Sequence, residues 1–412
     1  MEVMIPRCCG IDVHKSTLVA CLLLTKPNGQ TGKTVKTFST MTADLLALKD
    51  WLEANECTHA AIESTGVYWK PVFNILEGSV KVILANARDI KNVPGHKTDV
   101  KDCEWIADLL RFGLIKASFI PPEPIRQLRD LTRYRTKLGQ EMTAEKNRVQ
   151  KVLEDANIKL SSVATDIFGV SGREMLGALI KGESTPEEIA NLARKKLRKK
   201  IPELVEALKG NVCEHHRYLI SMSLRHLESL AELISDLNER IDAAMEPYRK
   251  QESELSTITG VDKKSAQCMI AELGVDMSQF PTAGHVSSWA GICPGNNESA
   301  GKRRSGKINK GNGWLMPILI QVAHAAARAR NTYLKDKYHR IAARRGNKRA
   351  AVAVGHKILI FAYYILKNGV TYHELGERYL DNLNKTLIEK RLIRRLQKLG
   401  NKVTIEPALQ MT

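Results

Sequence analysis

At 412 residues the chain is long enough for two or three domains with real cores. Its net charge of +18 points to a polyanionic partner. That partner reads as nucleic acid rather than membrane, because the longest apolar runs, Leu18–Leu24 and Ile358–Leu366, are too short to span a bilayer. The first residues lack signal-peptide organisation. The eight cysteines include no Cys-x-x-Cys pair, which argues against structural zinc and for buried thiols of a cytosolic protein.

Residues 1–115 alternate strand and helix. Strands are expected near 8–14, 17–25, 34–39, 58–63 and 80–85, and helices near 42–54, 67–77 and 98–112, which predicts a mixed sheet with helices packed on it. Asp12 lies in the apolar stretch Cys8–Val13, with Ile11 and Val13 facing the other way, and a carboxylate there is costly to desolvate without a cation. Glu63 ends the strand-like run Ala60-Ala61-Ile62-Glu63, and Asp99 and Asp102 open a helix on one face. Strand-borne acids converging with a helix-borne pair suit a hard, oxygen-liganded ion such as Mg²⁺, and two such ions can clamp the attacking and leaving oxygens of a phosphodiester. Three of the acids also have an ordinary reading. Asp99 and Asp102 complement a helix dipole, and Glu63 is a plain strand-end acid.

Pro121, Pro122 and Pro124 close this part. From 123 to 160 a seven-residue repeat runs through Leu128, Leu131, Leu138, Met142, Val149 and Val152, broken by Arg135 and Glu145. A second repeat runs from Ile220 to Ala244 with Ser223 polar. Two such helices predict an antiparallel coiled-coil arm or an oligomer contact. Between them Arg194–Lys200 carries six cations, either a solvated face or a phosphate contact.

Leu255–Asp262, leading into Lys263–Ala271, looks like half of a helix–hairpin–helix, whose Gly turn lets backbone amides approach a phosphate. A polar loop rich in Gly, Asn and cations follows, from Trp289 to Gly313, and then an apolar helix, Trp314–Ala329. By itself Ser299 in that loop reads as a turn-capping or phosphate-contacting serine, with Ser305 and Ser287 as competitors. His14 is either a turn residue or a partner of the Asp12 carboxylate. The residues after 330 are helical and basic.

Gly10–Lys15, Glu63–Gly66, Lys97–Asp102 and Asn297–Lys302 together resemble the signature blocks of the DEDD transposases of the bacterial insertion-sequence 110 family, in the right order. The resemblance covers about 1–115 and 255–335. It implies an α/β plus α architecture: an RNase H-like (RuvC-like) metal-binding domain over 1–120 and a helical coiled-coil region over 121–252. A transposase domain over 253–335 and a basic helical extension over 336–412 would follow. It implies that Asp12, Glu63, Asp99 and Asp102 bind Mg²⁺ and that Ser299 attacks a DNA phosphate to form a phosphoserine link. Lys302, Arg303, Arg304, Lys307 and Lys310 are expected to hold the DNA backbone. The implied partners are donor and target DNA and a structured guide RNA. The implied acting form is a homotetramer with composite sites in the bacterial cytoplasm, associated with the nucleoid. Two other classes use the same residues: a hydrolytic junction endonuclease, and a non-catalytic nucleic-acid assembly protein.

Overall fold

The fold was described from a computed structural model, in which the described residues are 2–64, 66–86, 99–293, 297–299, 302–305, 308 and 311–404. For 99–101, 297–299 and 302–305 only the backbone is described. The chain forms two compact units, 1–120 and 121–412.

The first unit is built on a five-stranded mixed sheet in the order β3-β2-β1-β4-β5. Its strands are β1 (Arg7–Val13), β2 (Thr17–Thr25), β3 (Thr31–Ser39), β4 (His59–Glu63) and β5 (Lys81–Ala85). The first three pair antiparallel, and β1, β4 and β5 run parallel. Strand alternation sorts the residues of β1 between two cores. Cys9, Ile11 and Val13 pack against α1 (Thr42–Ala54) and α2 (Trp69–Leu76), while Cys8 faces α3 (Asp99–Arg111) through Cys103, Ile106, Ala107 and Leu110. Gly10 lies on the α3 side. A Cβ there would fall 2.2 Å from the Cys103 carbonyl oxygen and 2.4 Å from the Ala107 nitrogen, so only glycine lets the helix lie this close to the strand.

The second unit is helical. Its spine is an antiparallel pair, α4 (Glu123–Asp155) and α9 (Glu214–Ala244). The direction follows from contacts of Arg135 with Asn238, Glu145 with His226, and Asp155 with His216. The residues that interrupt the repeat are buried nonetheless: Arg135 bonds to Asn238 and Gln267, and Glu145 pairs with Arg148 and His226.

A module of short helices spans the far end of the pair. It comprises α5 (Leu160–Val163), α6 (Val170–Lys181), α7 (Pro186–Asn191), a 3-10 turn (Lys195–Lys200) and α8 (Ile201–Leu208). Its core of Ile158, Ile167, Met175, Leu176, Ile189 and Leu204 joins Val149, Leu153, Ile220 and Leu227 of the two long helices.

After α9 come α10 (Arg249–Ser256), α11 (Lys263–Leu273), α12 (Ala283–Trp289), α13 (Leu315–Ala326), α14 (Tyr333–Arg345), α15 (Asn347–Asn368), α16 (Tyr379–Leu383) and α17 (Lys385–Lys398). The apolar run Ile358–Leu366 belongs to α15, which over 22 residues is long and apolar enough to cross a bilayer by composition, with 56% of that window buried. It packs against α12, α13 and α14, so residues after 335 share the core of those before it. Gly260, in the glycine turn before α11, has φ +90°. A Cβ there would lie 2.7 Å from the Ala326 nitrogen and 2.8 Å from the Val322 carbonyl oxygen, so the turn serves close packing on α13.

Candidate active site

In the first unit the carboxyl ends of the parallel strands gather the acids. Ile11 pairs with Ile62, which sets the next residues, Asp12 and Glu63, level with each other on neighbouring strands. Both follow the strand alternation onto the α3 side, with Cys8 and Gly10 before Asp12 and Ala61 before Glu63. The sheet-facing stripe of α3 is Cys103, Ile106, Ala107 and Leu110. Asp99 and Asp102 stand one turn before Cys103 and Ile106, at the start of the same stripe. The start of α3 therefore lies at the end of the sheet where Asp12 and Glu63 emerge. The carboxyl end of parallel strands is where open α/β sheets place their ligand sites.

Asp12 is 9% exposed, and its Oδ2 lies 3.2 Å from Nε2 of the exposed His14. His14 lies in the turn from β1 to β2, its backbone N–H donating to the Thr17 carbonyl. Glu63 and Asp102 are half-buried. The Cys103 thiol is pushed up to about 11, first by burial and further by the charges of Glu104 and Asp12.

The donor set is all oxygen, which fits Mg²⁺ rather than zinc. Among the described residues no three His, Cys, Asp or Glu side chains form a ready-made metal cluster, and the side chain of Asp99 lies outside the described residues.

In the second unit Ser299 ends the short strand β6 (Asn297–Ser299), whose antiparallel partner is β7 (Lys302–Ser305). Ser299 is level with Lys302 at the tip of this ribbon, Glu298 with Arg303, and Ser305 with Asn297. For Ser299, Lys302, Arg303 and Arg304 the backbone alone is described, and Lys307 and Lys310 lie outside the described residues. Ser287 is removed as a competitor. It is 1% exposed inside α12, and its hydroxyl donates to the Ala283 carbonyl at 2.8 Å.

The far end of the serine loop is fastened by a network that sequence reasoning missed. Asn312 accepts from the backbone N–H groups of Trp314 and Leu315 at 2.9 and 3.1 Å, capping the start of α13. Its Nδ2 donates to Glu272 Oε2 at 2.7 Å. Glu272 also receives a two-pronged pair of bonds from Arg133, at 2.7 and 2.8 Å. Arg129 Nε stands 3.6 Å from the same carboxylate, and burial lowers the Arg129 guanidinium to about 10. Arg133 and Lys137 lie over the Trp314 ring. Gly311 packs so tightly on Ala290 and Gly291 that a Cβ there would come within 2.3 Å of their backbone. The signal was present in the sequence: Glu272 interrupts the apolar run Cys268-Met269-Ile270-Ala271, as Asp12 interrupts its strand.

Two family models match the chain. The DEDD transposase model of the IS110 type covers residues 9–158, and the transposase IS116/IS110/IS902 family model covers 252–339. Together they span more than half of the sequence and contain both the acid-bearing sheet and the serine ribbon. The chain belongs to the IS110 family of transposases. It is accordingly a DNA transposase of an insertion sequence, from a family that works with divalent metal ions. No curated protein matches it.

Proposed function

We propose that this IS110-family transposase cuts and rejoins DNA through a covalent serine–DNA intermediate, with Asp12, Glu63, Asp99 and Asp102 holding Mg²⁺ and Ser299 as the nucleophile. The observation that supports it most is the level placement of Asp12 and Glu63 on adjacent parallel strands, on the side of the helix that Asp99 and Asp102 begin. Carboxylates that approach one another repel, so acids brought to this end of the sheet would favour a bound cation. Bound there, Mg²⁺ supplies positive charge where negative charge develops on the phosphate and the serine oxygen.

The residues of the chain do the rest. Ser299 gives up its hydroxyl proton as its oxygen forms a bond to phosphorus. The bond from phosphorus to the sugar oxygen breaks, and that oxygen leaves as a hydroxyl carrying a proton. Rejoining runs the sequence backwards with a hydroxyl from the exchanged strand, so the phosphodiester is recovered without ATP. Lys302, Arg303, Arg304, Lys307 and Lys310 hold the backbone beside the ribbon, contacts that position DNA without reading its sequence. Target choice then falls to pairing with a structured guide RNA. A homotetramer brings the RuvC-like domain of one subunit to the transposase domain of another, with the long helix pair as a coiled-coil connection.

The test is a search for a detergent-stable DNA–protein adduct, using the chain with its element DNA and RNA. A Mg²⁺-dependent adduct mapped to Ser299, absent in Ser299→Ala and in Asp12→Ala, is expected. Recombination by Ser299→Ala would refute the nucleophile, and cleavage to free ends with no adduct would establish the hydrolytic endonuclease instead.

A further inference from the structure

The module between the two long helices lies between the two matched segments, so family membership assigns it no role. It holds a cavity of about 540 Å³, walled by the residues before α6, by the first turn of α6 and by the 3-10 turn Lys195–Lys200. Four cations line it: Arg194, Lys195, Lys196 and Lys200. Arg194 is compensated, because Glu174 holds its guanidinium and its backbone N–H donates to the Ser171 hydroxyl, tying the turn to α6. The three lysines are not. Lys200 Nζ donates to the Val163 carbonyl at 3.3 Å, and among the described residues none of Lys195, Lys196 and Lys200 makes an ion pair. One carboxylate lines the cavity, Asp166, and its Oδ1 already accepts from the Phe168 backbone N–H at 2.9 Å.

The wall is also held in a conformation that costs energy. Lys195 has φ +51°, a left-handed backbone that a lysine rarely adopts, and such strain collects where position matters for function. The amino end of α6, with no side-chain cap, adds the positive end of a helix dipole to the same cavity. Beyond the cavity, Arg198 and Lys199 continue the row of positive charge along the turn. A row of uncompensated lysines that extends past its cavity matches a polymer with regularly spaced phosphates better than one small anion.

We infer that this cavity and its turn bind the phosphodiester backbone of a nucleic acid, giving the transposase a contact separate from both matched segments. RNA and DNA share this chemistry, and the experiment tells them apart. The readout is binding, so it is independent of the serine chemistry proposed above.

The full chain in EDTA, which prevents cutting, is titrated into labelled RNA and DNA duplexes of about 30 base pairs by fluorescence anisotropy over a range of salt. The triple variant Lys195→Ala, Lys196→Ala, Lys200→Ala is expected to lower the log–log salt slope by about two to three and to weaken binding about tenfold or more at low salt, since each lost phosphate contact accounts for about 0.7–0.9 of slope. The polymer that shows the loss is the one bound. A control triple, Lys151→Ala, Lys181→Ala, Arg225→Ala, removes equal charge from exposed positions outside the cavity and is expected to change the slope far less. Equal losses in the two triples, or no loss in either, would overturn the assignment. The charge-keeping triple Lys195→Arg, Lys196→Arg, Lys200→Arg is expected to bind like the parent. A loss there as large as in the alanine triple would trace the effect to the fold and overturn the assignment as well.

Discussion

Asp12 and Glu272 are both carboxylates that the fold takes out of water, at 9% and 1% exposure, and their surroundings differ in kind. Glu272 is surrounded by donors: two bonds from Arg133, one from Asn312, and Arg129 nearby. Asp12 has the exposed His14 3.2 Å from its Oδ2 and another acid, Glu63, at its own level on the next strand. Matched charge is what a buried acid needs to be structural. An acid facing a second acid is eased by a cation, which is the role proposed for Mg²⁺ beside Asp12 and Glu63. The contrast sets a braced acid against the site proposed to hold a metal.

Mutation tests the contrast most sharply. Glu272→Ala removes the acceptor shared by Arg133 and Asn312, while Arg129 keeps its bonds to the Ala271 and Glu272 carbonyls, and is expected to cost about 2–3 kcal/mol of stability in the second unit. Asp12→Asn keeps the shape and removes one of the mutually repelling charges. It is expected to leave the thermal midpoint unchanged or raised while adduct formation falls about a thousandfold, the rate equivalent of several kcal/mol of lost charge stabilisation. Calorimetry and adduct kinetics on the same two proteins read both quantities. If Asp12→Asn melts the protein as Glu272→Ala does, Asp12 is a second brace and the metal reading falls.

Gly10→Ala tests how the acid site is held. The added methyl meets the Cys103 carbonyl and the Ala107 nitrogen, which are helix backbone and cannot swing aside. About 1–3 kcal/mol of destabilisation is expected, with α3 pushed off the sheet and its opening acids displaced from Asp12. Activity should therefore fall by more than the loss of folded protein explains. Activity that simply tracks the folded fraction would mean that the spacing of α3 from β1 does not matter to the site.

Much of the first unit was legible because its signals are local. The apolar runs of β1 and β2 gave strands, and a carboxylate at Asp12 stood out against apolar neighbours. The glycine at position 10 carried no such signal, since its reason is a helix that arrives about ninety residues later in the chain. Glu272 showed as a charge against an apolar run, but its role as a brace did not, because its partners lie on α4 and on the serine loop, far away in sequence. Arg135 and Glu145 looked like interruptions of a repeat. They are buried because the partners that satisfy them, Asn238, Gln267 and His226, come from other helices. Ser287 remained a competitor to Ser299 until its hydroxyl was seen bonded inside α12.

A third carboxylate, Glu374, sits between the two extremes and refines the comparison. Burial works to raise its pKa, but four donors outweigh that and hold it below the ordinary carboxylate range: the backbone N–H groups of Tyr333 and Gly376, the Thr259 hydroxyl and the Tyr372 hydroxyl. It fastens the segment after α15 to the start of α14 and to the turn before α11. The two backbone N–H groups meet Oε1 and the two hydroxyls meet Oε2, so the amide of Glu374→Gln can keep the contacts only with its carbonyl on the backbone pair and its N–H₂ donating to the hydroxyls, and the strength that the charge adds is lost. A loss of about 1–2 kcal/mol is expected at neutral pH, less than for Glu272 because the site is half-exposed. The pH dependence has a definite sign. A carboxylate whose folded pKa is lowered stabilises the fold above the unfolded value of about 4.3, and that contribution fades as pH falls through the lowered folded value. Denaturant titrations of parent and Glu374→Gln should therefore stay separated above about pH 5 and converge on acidification. A gap that stays constant down to acid pH would show that shape, rather than charge, makes Glu374 a fastener.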